Sequence, residues 1–225
     1  MPEIGQLNEQ PLHAALKIHY AQPSYPMEVT VDGYIIDVLR GEQLIEVQTG
    51  NFSTIKSKVA RLAEKFPVKV VYPIALRKWL LKLPENGQEK PKRRKSPKQG
   101  SLYQVFGELV SFPEMINVPG FSLDIVLIEE EEVRKYTGEK PWRQRGWVTV
   151  ERRLIRVLDC RTFANGQDFM DLLPAALPSA FTTRDLAKSA GIPRWLAQKA
   201  AYCLRKMGTI RFIGKKGRSN LYERF

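Results

Sequence analysis

Two runs rich in β-branched and large apolar residues, Tyr34–Leu39 and Gln43–Gln48, lie on either side of Arg40-Gly41-Glu42. Such a pair predicts a β-hairpin. With Gly41-Glu42 as a two-residue loop, glycine first as a type II′ turn requires, Asp37 falls opposite Glu46. A turn centred on Arg40-Gly41 would instead set Asp37 against Leu44. In the first register Ile35, Asp37, Leu39, Leu44, Glu46 and Gln48 share one face, with Tyr34, Ile36, Val38, Ile45 and Val47 on the other. Both faces are apolar apart from Asp37, Glu46 and Gln48, which predicts a sheet covered on both sides.

The neighbouring pattern extends this unit. Leu12, Leu16 and Tyr20 recur at helical spacing within a helix over 7–21, with Asn8 as its N-cap, Pro11 in its first turn, and Glu9 and His13 on the inward side. His13 and His19 read as packing or surface histidines. Gln22–Pro26 is a turn, and Met27–Val31 is a strand closed by Asp32-Gly33, giving a three-stranded meander. After the tight loop 49–51, Phe52, Ile55, Val59, Leu62 and Phe66 form the stripe of an amphipathic helix whose other face carries Lys56, Lys58, Arg61 and Lys65. Val68–Tyr72 has the composition of a buried parallel strand. Leu76–Leu83 reads as a short helix, 84–101 as a disordered basic loop, and 102–110 and 121–128 as further apolar elements. Glu129–Glu132 is expected to be a solvated charge run without chemistry. Trp147–Val150 and Leu154–Leu158 are expected to form a second hairpin.

From Phe181 the period changes. Thr182 and Asp185 form a capping box, 190–192 a turn, Pro193 opens a second helix, and Gly208 ends it. Strands at 209–213 and 220–224 flank Gly214–Ser219. Leu196, Ala200, Leu204 and Met207 form the buried stripe, which leaves Arg194, Gln198, Lys199, Tyr202, Arg205 and Lys206 outside. This arrangement resembles a winged helix with 214–219 as the wing tip. The chain therefore divides into a first domain over 1–165 and a second over 166–225.

Charge sharpens that division. The formal net charge is +12: residues 179–225 hold eleven Lys or Arg against two acids, a net +9, and 85–100 hold six against two, a net +4, leaving −1 for the rest. A near-neutral body with a basic tail and a basic loop suits a polyanion. The basic candidates are Lys58, Lys92, Arg93, Arg94, Lys95, Arg194, Gln198, Lys199, Tyr202, Lys215, Lys216 and Arg218, with Lys92–Lys95 also readable as a localisation signal. Two cysteines give neither a disulfide framework nor metal-ligand spacing, and no signal peptide or membrane-spanning run is visible. The expectation is a soluble cytoplasmic protein, nucleoid-associated in a prokaryote, with no membrane partner and with a homodimer compatible.

Two opposed, partly buried carboxylates destabilise a hairpin and raise a carboxyl pKa, a penalty that a divalent cation removes. Against that stands the solvated alternative, in which the acids face water and Arg40 pairs with one of them. The order Ile35-Ile36-Asp37-Val38, short turn, Ile45-Glu46-Val47-Gln48, amphipathic helix, apolar strand resembles the PD-(D/E)XK nuclease superfamily, the restriction-endonuclease-like fold. The resemblance covers roughly residues 5–80. It implies an α/β (α+β) mixed sheet flanked by helices and a metal-dependent deoxyribonuclease. Asp37 and Glu46 would bind Mg²⁺ or Mn²⁺, with Glu9 a further ligand or simply an acid at a helix N-terminus. Gln48 stands where the superfamily has lysine, so the missing charge would come from Lys56, Lys58 or a second metal. The alternatives are a non-catalytic DNA-binding regulator with a degenerate nuclease domain, and RNA as substrate.

Overall fold

The computed structural model describes residues 10–84, 90–138 and 146–225. Glu9 and Asn8 lie outside these residues. The fold is mixed α/β: a seven-stranded mixed sheet flanked by helices, joined to a smaller helical unit with a three-stranded sheet. Helix α1 (Pro11–Ala21) opens the described chain, starting later than Leu7, with Gln10 as N-cap and proline in the first turn, where its missing N–H costs nothing. Strands β1 (Met27–Val31), β2 (Tyr34–Arg40) and β3 (Gln43–Val47) form the antiparallel meander. Then come α2 (Lys56–Ala63), β4 (Val68–Lys82), β5 (Lys92–Lys95), the one-turn α3 (Phe106–Leu109), β6 (Phe121–Tyr136) and β7 (Trp147–Phe163).

The order β1-β2-β3-β4-β6-β7 places two parallel pairings, β3 with β4 and β4 with β6, at the centre. Strands buried on both faces need apolar residues at successive positions. Accordingly Val70 and Ile125 pack in one layer with Phe52, Val59 and Leu62 beside α2, while Val71 and Val126 pack in the other with Leu12 and Leu16 of α1.

Four expectations are overturned. Leu76–Leu83 is the continuation of β4, because pairing with β6 runs in register to Lys82, with one irregularity between Ala75 and Arg77. Aliphatic and lysine residues favour a helix only while no sheet edge is offered. The 85–101 segment is not a disordered loop throughout: Lys92–Lys95 forms β5 against Trp79–Lys82, and Ser96 is buried. Gly100 lies so close to the β4 backbone that a Cβ there would stand 2.5 Å from the Ala75 carbonyl oxygen. The second hairpin is one strand, β7, paired with β6 along its length. Glu129, Glu130 and Glu132 are buried, and basic side chains of neighbouring strands meet them. Lys78 and Arg152 reach Glu130 at 2.8 and 2.6 Å. Lys78 and Arg134 reach Glu132 at 2.9 and 2.7 Å, and Arg156 reaches Glu129 at 2.7 Å.

The C-terminal unit contains β8 (Ala180–Thr182), α4 (Thr183–Ala190), α5 (Arg194–Lys206), β9 (Ile210–Lys216) and β10 (Ser219–Arg224), with sheet order β8-β10-β9. Both halves of the Thr182–Asp185 capping box are formed, while Pro193 is the N-cap of α5 rather than its first residue. The unit does not hang from a linker. Phe169, Phe181, Leu196 and Ala200 join Phe106 and Leu109 in one continuous core. Asn117 ties the junction by donating to Met207 O at 2.9 Å and accepting from Gly166 N at 3.2 Å. A side chain on Gly166 would meet Met207 O at 2.8 Å.

Candidate active site and basic surface

The pairs Val38↔Ile45, Leu39↔Leu44 and Arg40↔Gln43 fix the hairpin register with Gly41-Glu42 as the turn. Gly41 adopts φ +60, the left-handed conformation that glycine enters without strain. Extending that register by one residue sets Asp37 opposite Glu46. The ladder, however, stops at Val38. Beyond it the Asp37 carboxylate enters the gap, and its Oδ2 accepts the Val47 N–H at 2.8 Å. The strand changes face here: Val38 packs on the α1 side, while Ile36 packs on the α2 side and Ile35 is 62% exposed. The expected strict alternation from Ile35 to Leu39 therefore fails at Asp37. The acids lie where two strands of the sheet part.

Two further side chains complete the cluster. His13, expected to be a packing or surface residue, directs Nε2 to within 3.3 Å of Asp37 Oδ2 and 2.9 Å of Val47 O. Its spacing of three from Leu16 and seven from Tyr20, on the inward side of the helix, is the signal for it in the sequence. Lys58 donates to Glu46 Oε1 and to Ile35 O, each at 2.6 Å. Lys56, two residues earlier, is exposed at the start of α2. The sequence pattern treats 52–66 as one α-helix, but Phe52–Thr54 is a 3-10 turn. The expected stripe of Phe52, Ile55, Val59 and Leu62 is nevertheless buried, and Lys58 lies at its edge, four residues before Leu62.

Gln48 does not turn toward the acids. Its amide donates to the carbonyl of Gly50, to Asn51 O at 3.2 Å and to Thr54 Oγ1 at 3.2 Å, closing the loop that leads into α2. The Phe52 N–H at the end of that loop donates to Glu108 of α3 at 3.1 Å.

The electrostatics of the pair are unbalanced. Burial, together with the neighbouring Asp37 carboxylate, pushes the Glu46 carboxyl up to about 7, outweighing the opposing effects of Lys58 and His13. Glu46 Oε2 is buried with no hydrogen-bond partner. An orphaned carboxylate oxygen beside a second carboxylate is a donor set that a hard divalent cation fits. Among the described residues no group of three or more His, Cys, Asp or Glu is arranged to hold a metal, so Asp37 and Glu46 form at most a two-residue protein contribution there.

The basic candidates separate into outward-facing and engaged groups. Arg194, Gln198, Tyr202, Lys215, Lys216 and Arg218 are exposed on α5 and the β9–β10 hairpin. Lys199 instead donates to Gly107 O at 3.1 Å, and Lys206 pairs with Glu114 at 3.0 Å; both fasten α5 to the first part of the chain. Arg93 pairs with Glu131 at 2.7 Å and stacks over Trp79. Lys92, Arg94 and Lys95 are exposed along β5.

Comparisons with known proteins place these features in a family. Residues 10–164 match a Domain of unknown function (DUF8091), and the chain belongs to that family. The match ends two residues before Gly166, where the C-terminal unit is joined. A protein of Treponema pallidum (strain Nichols), described as an uncharacterized protein, is 30% identical over 223 residues, covering 98% of this chain and 87% of its own length. That likeness extends beyond the family match into the C-terminal unit. No solved structure matches. No helix among the described residues is long and apolar enough to cross a membrane.

Proposed function

We propose that the protein is a metal-dependent endonuclease of restriction-endonuclease-like type, acting on DNA that its C-terminal winged-helix-like unit holds. The observation that carries this is the buried Glu46 carboxyl beside Asp37, its Oε1 held by Lys58 and its Oε2 without a hydrogen-bond partner, where β2 and β3 part. Asp37 and Glu46 would hold Mg²⁺ or Mn²⁺, with Glu9 outside the described residues. Such an ion, when bound, supplies acidity to a coordinated water and positive charge to a phosphate.

The chain's own groups have definable tasks. His13 and the Val47 N–H fix Asp37 Oδ2 in one orientation. Lys58 supplies the ammonium that Gln48 lacks, from a helix rather than from the strand. Gln48 holds the 50–54 loop and thereby the start of α2, which sets where Lys58 sits. The exposed cations of α5 and the β9–β10 hairpin supply affinity through phosphates, with β5 a second phosphate contact.

A non-catalytic DNA-binding regulator is the second reading, and Lys58 favours it: an ammonium at 2.6 Å already neutralises one oxygen of Glu46. A cleavage panel decides. Branched, single-stranded and duplex DNA, and RNA, are incubated with Mg²⁺ or Mn²⁺ and the parent, Asp37→Ala or Glu46→Ala protein. We expect cleavage by the parent alone, with DNA affinity unchanged within a few-fold in both variants. Binding without cleavage on every substrate would select the regulator. Full activity in either variant would remove the site assignment.

A further inference from the structure

Nucleic-acid affinity through lysines and arginines leaves one feature of the C-terminal unit unused. Trp195, Gln198, Tyr202 and Arg205 recur at three- and four-residue spacing along the outer face of α5, opposite the buried stripe of Leu196, Ala200 and Leu204. On a solvated helix face that pattern puts two large aromatic rings in water, Trp195 at 56% and Tyr202 at 42% exposure. Phe212, 48% exposed, stands on β9 and lines a groove with Tyr202. Its cross-strand partner Tyr222 is buried, and their rings stand 6.3 Å apart at 70°. Between helix and hairpin lies an open groove of about 350 Å³, lined by Gln198, Tyr202, Arg205, Phe212, Asn220 and Tyr222.

We propose that this groove is a stacking site for an unpaired nucleobase, so that the chain engages single-stranded or strand-ended nucleic acid in preference to intact duplex. The inference rests on the nucleic-acid reading above and adds the class of substrate. Bases within a duplex have both faces covered by their neighbours, so an aromatic wall gains stacking only from a base that has left the helix. Tyr202 from α5 and Phe212 from β9 both line the groove, so it carries aromatic rings from helix and hairpin. The Gln198 and Asn220 carboxamides at the rim carry both donors and acceptors for a base edge. Asn220 Nδ2 donates to the Tyr222 hydroxyl, also in the lining, at 3.3 Å. Arg205 can meet the adjoining phosphate. Among the described residues no acidic side chain lines the groove, and exposed Lys215, Lys216 and Arg218 continue the positive charge along the hairpin. That charge favours a polyanion over an apolar protein segment as occupant.

The test uses the full chain in EDTA, so that cleavage plays no part, and reads fluorescence anisotropy of three labelled probes. They are an oligothymidylate, a strand of the same length with abasic sugars in place of the thymidines, and a blunt duplex. We expect the abasic strand to bind about five- to a hundredfold more weakly than the oligothymidylate, the range for loss of a stacked base. Phe212→Ala should lower oligothymidylate affinity by a similar factor and leave the abasic strand unaffected, while Phe212→Tyr retains binding. Lys215→Ala should weaken all three probes and reduce the salt slope. Equal binding of thymidylate and abasic strands by the parent overturns the stacking site alone, and leaves the groove to a protein ligand. Binding of none of the three probes overturns the nucleic-acid reading together with it. The abasic comparison needs only the parent protein, so it decides even if a groove variant fails to fold.

Discussion

Two clusters of carboxylates occupy the same sheet and have opposite fates. On β6, Glu130 and Glu132 each meet two basic groups, and Thr149 adds a hydrogen bond to Glu132 at 2.6 Å. Burial opposes ionisation of Glu132, yet hydrogen bonds from Thr149, Lys78 and Arg134 pull its carboxyl down to about 2. At the β2–β3 fork the same residue type, Glu46, is pushed up to about 7, because burial and Asp37 outweigh Lys58. An acidic run is therefore not what marks a site in this molecule. The mark is a carboxyl whose burial and neighbouring carboxylate outweigh the cation that pairs with it.

The comparison is broken most severely by removing a compensated acid. Glu130 is fully buried between Lys78 and Arg152, so Glu130→Ala takes from Arg152 the carboxylate it pairs with, while Lys78 keeps Glu132, and should cost about 1–3 kcal/mol. The denaturant midpoint should fall accordingly. A loss under about 1 kcal/mol would mean that the β6 ladder is solvated after all.

Dependence on pH separates the two clusters by sign. A carboxyl lowered on folding contributes stability above its unfolded pKa and loses it as pH falls through its folded one. Glu132 thus gives an acid limb between about 4.5 and about 2. For a carboxyl raised on folding the sign reverses, because the native state binds the extra proton. Glu46 thus gives a decline as pH rises from about 4.5 to about 7. Glu132→Gln should flatten the first limb and Glu46→Gln the second, so that Glu46→Gln is the more stable protein at pH 8. Asp37→Asn should lower the Glu46 carboxyl and weaken the second limb, as read by thermal unfolding across the pH range.

Smaller effects sharpen the site itself. Gln48→Ala loses hydrogen bonds to the 50–54 loop and should cost about 0.5–1.5 kcal/mol, whereas Gln48→Lys keeps a donor there and should stay nearer the parent. Lys56→Ala, on an exposed position, should lie within about 0.5 kcal/mol of the parent and leave cleavage intact. Lys58→Ala should not.

Much of this was legible in the sequence for physical reasons. The hairpin itself follows from glycine between two apolar runs, with the Gly41-Glu42 register one of two that the sequence allows, and the layers follow from strands apolar on both faces. The capping box at Thr182 and the chain reversal at Gly208 are local, and local rules predicted them. The illegible parts depend on partners distant in sequence. Leu76–Leu83 has helix-forming residues, and only β6, some fifty residues away, makes it a strand. Glu129–Glu132 reads as solvated until Lys78 and Arg152 are brought across from neighbouring strands. Lys58 rather than Lys56 reaches Glu46, although both read as outward cations beside the Phe52–Phe66 stripe, because the Glu46 carboxylate is brought to that edge of α2 from a separate strand. Lys199 reads as an outward cation on α5, but it is turned onto the first part of the chain because the two units share one core.

The central claim is that Asp37 and Glu46 form a site short of positive charge that takes up a divalent cation. Thermal unfolding at pH 8 with and without Mn²⁺, for the parent, Asp37→Asn and Glu46→Gln, tests it without relying on catalysis. At a hundredfold excess over Kd, binding to the folded state alone stabilises by about 2.7 kcal/mol, or roughly 5–10 °C for a chain of this size. We expect that rise in the parent and its absence in both variants. No rise in the parent, or the same rise in all three proteins, would contradict it.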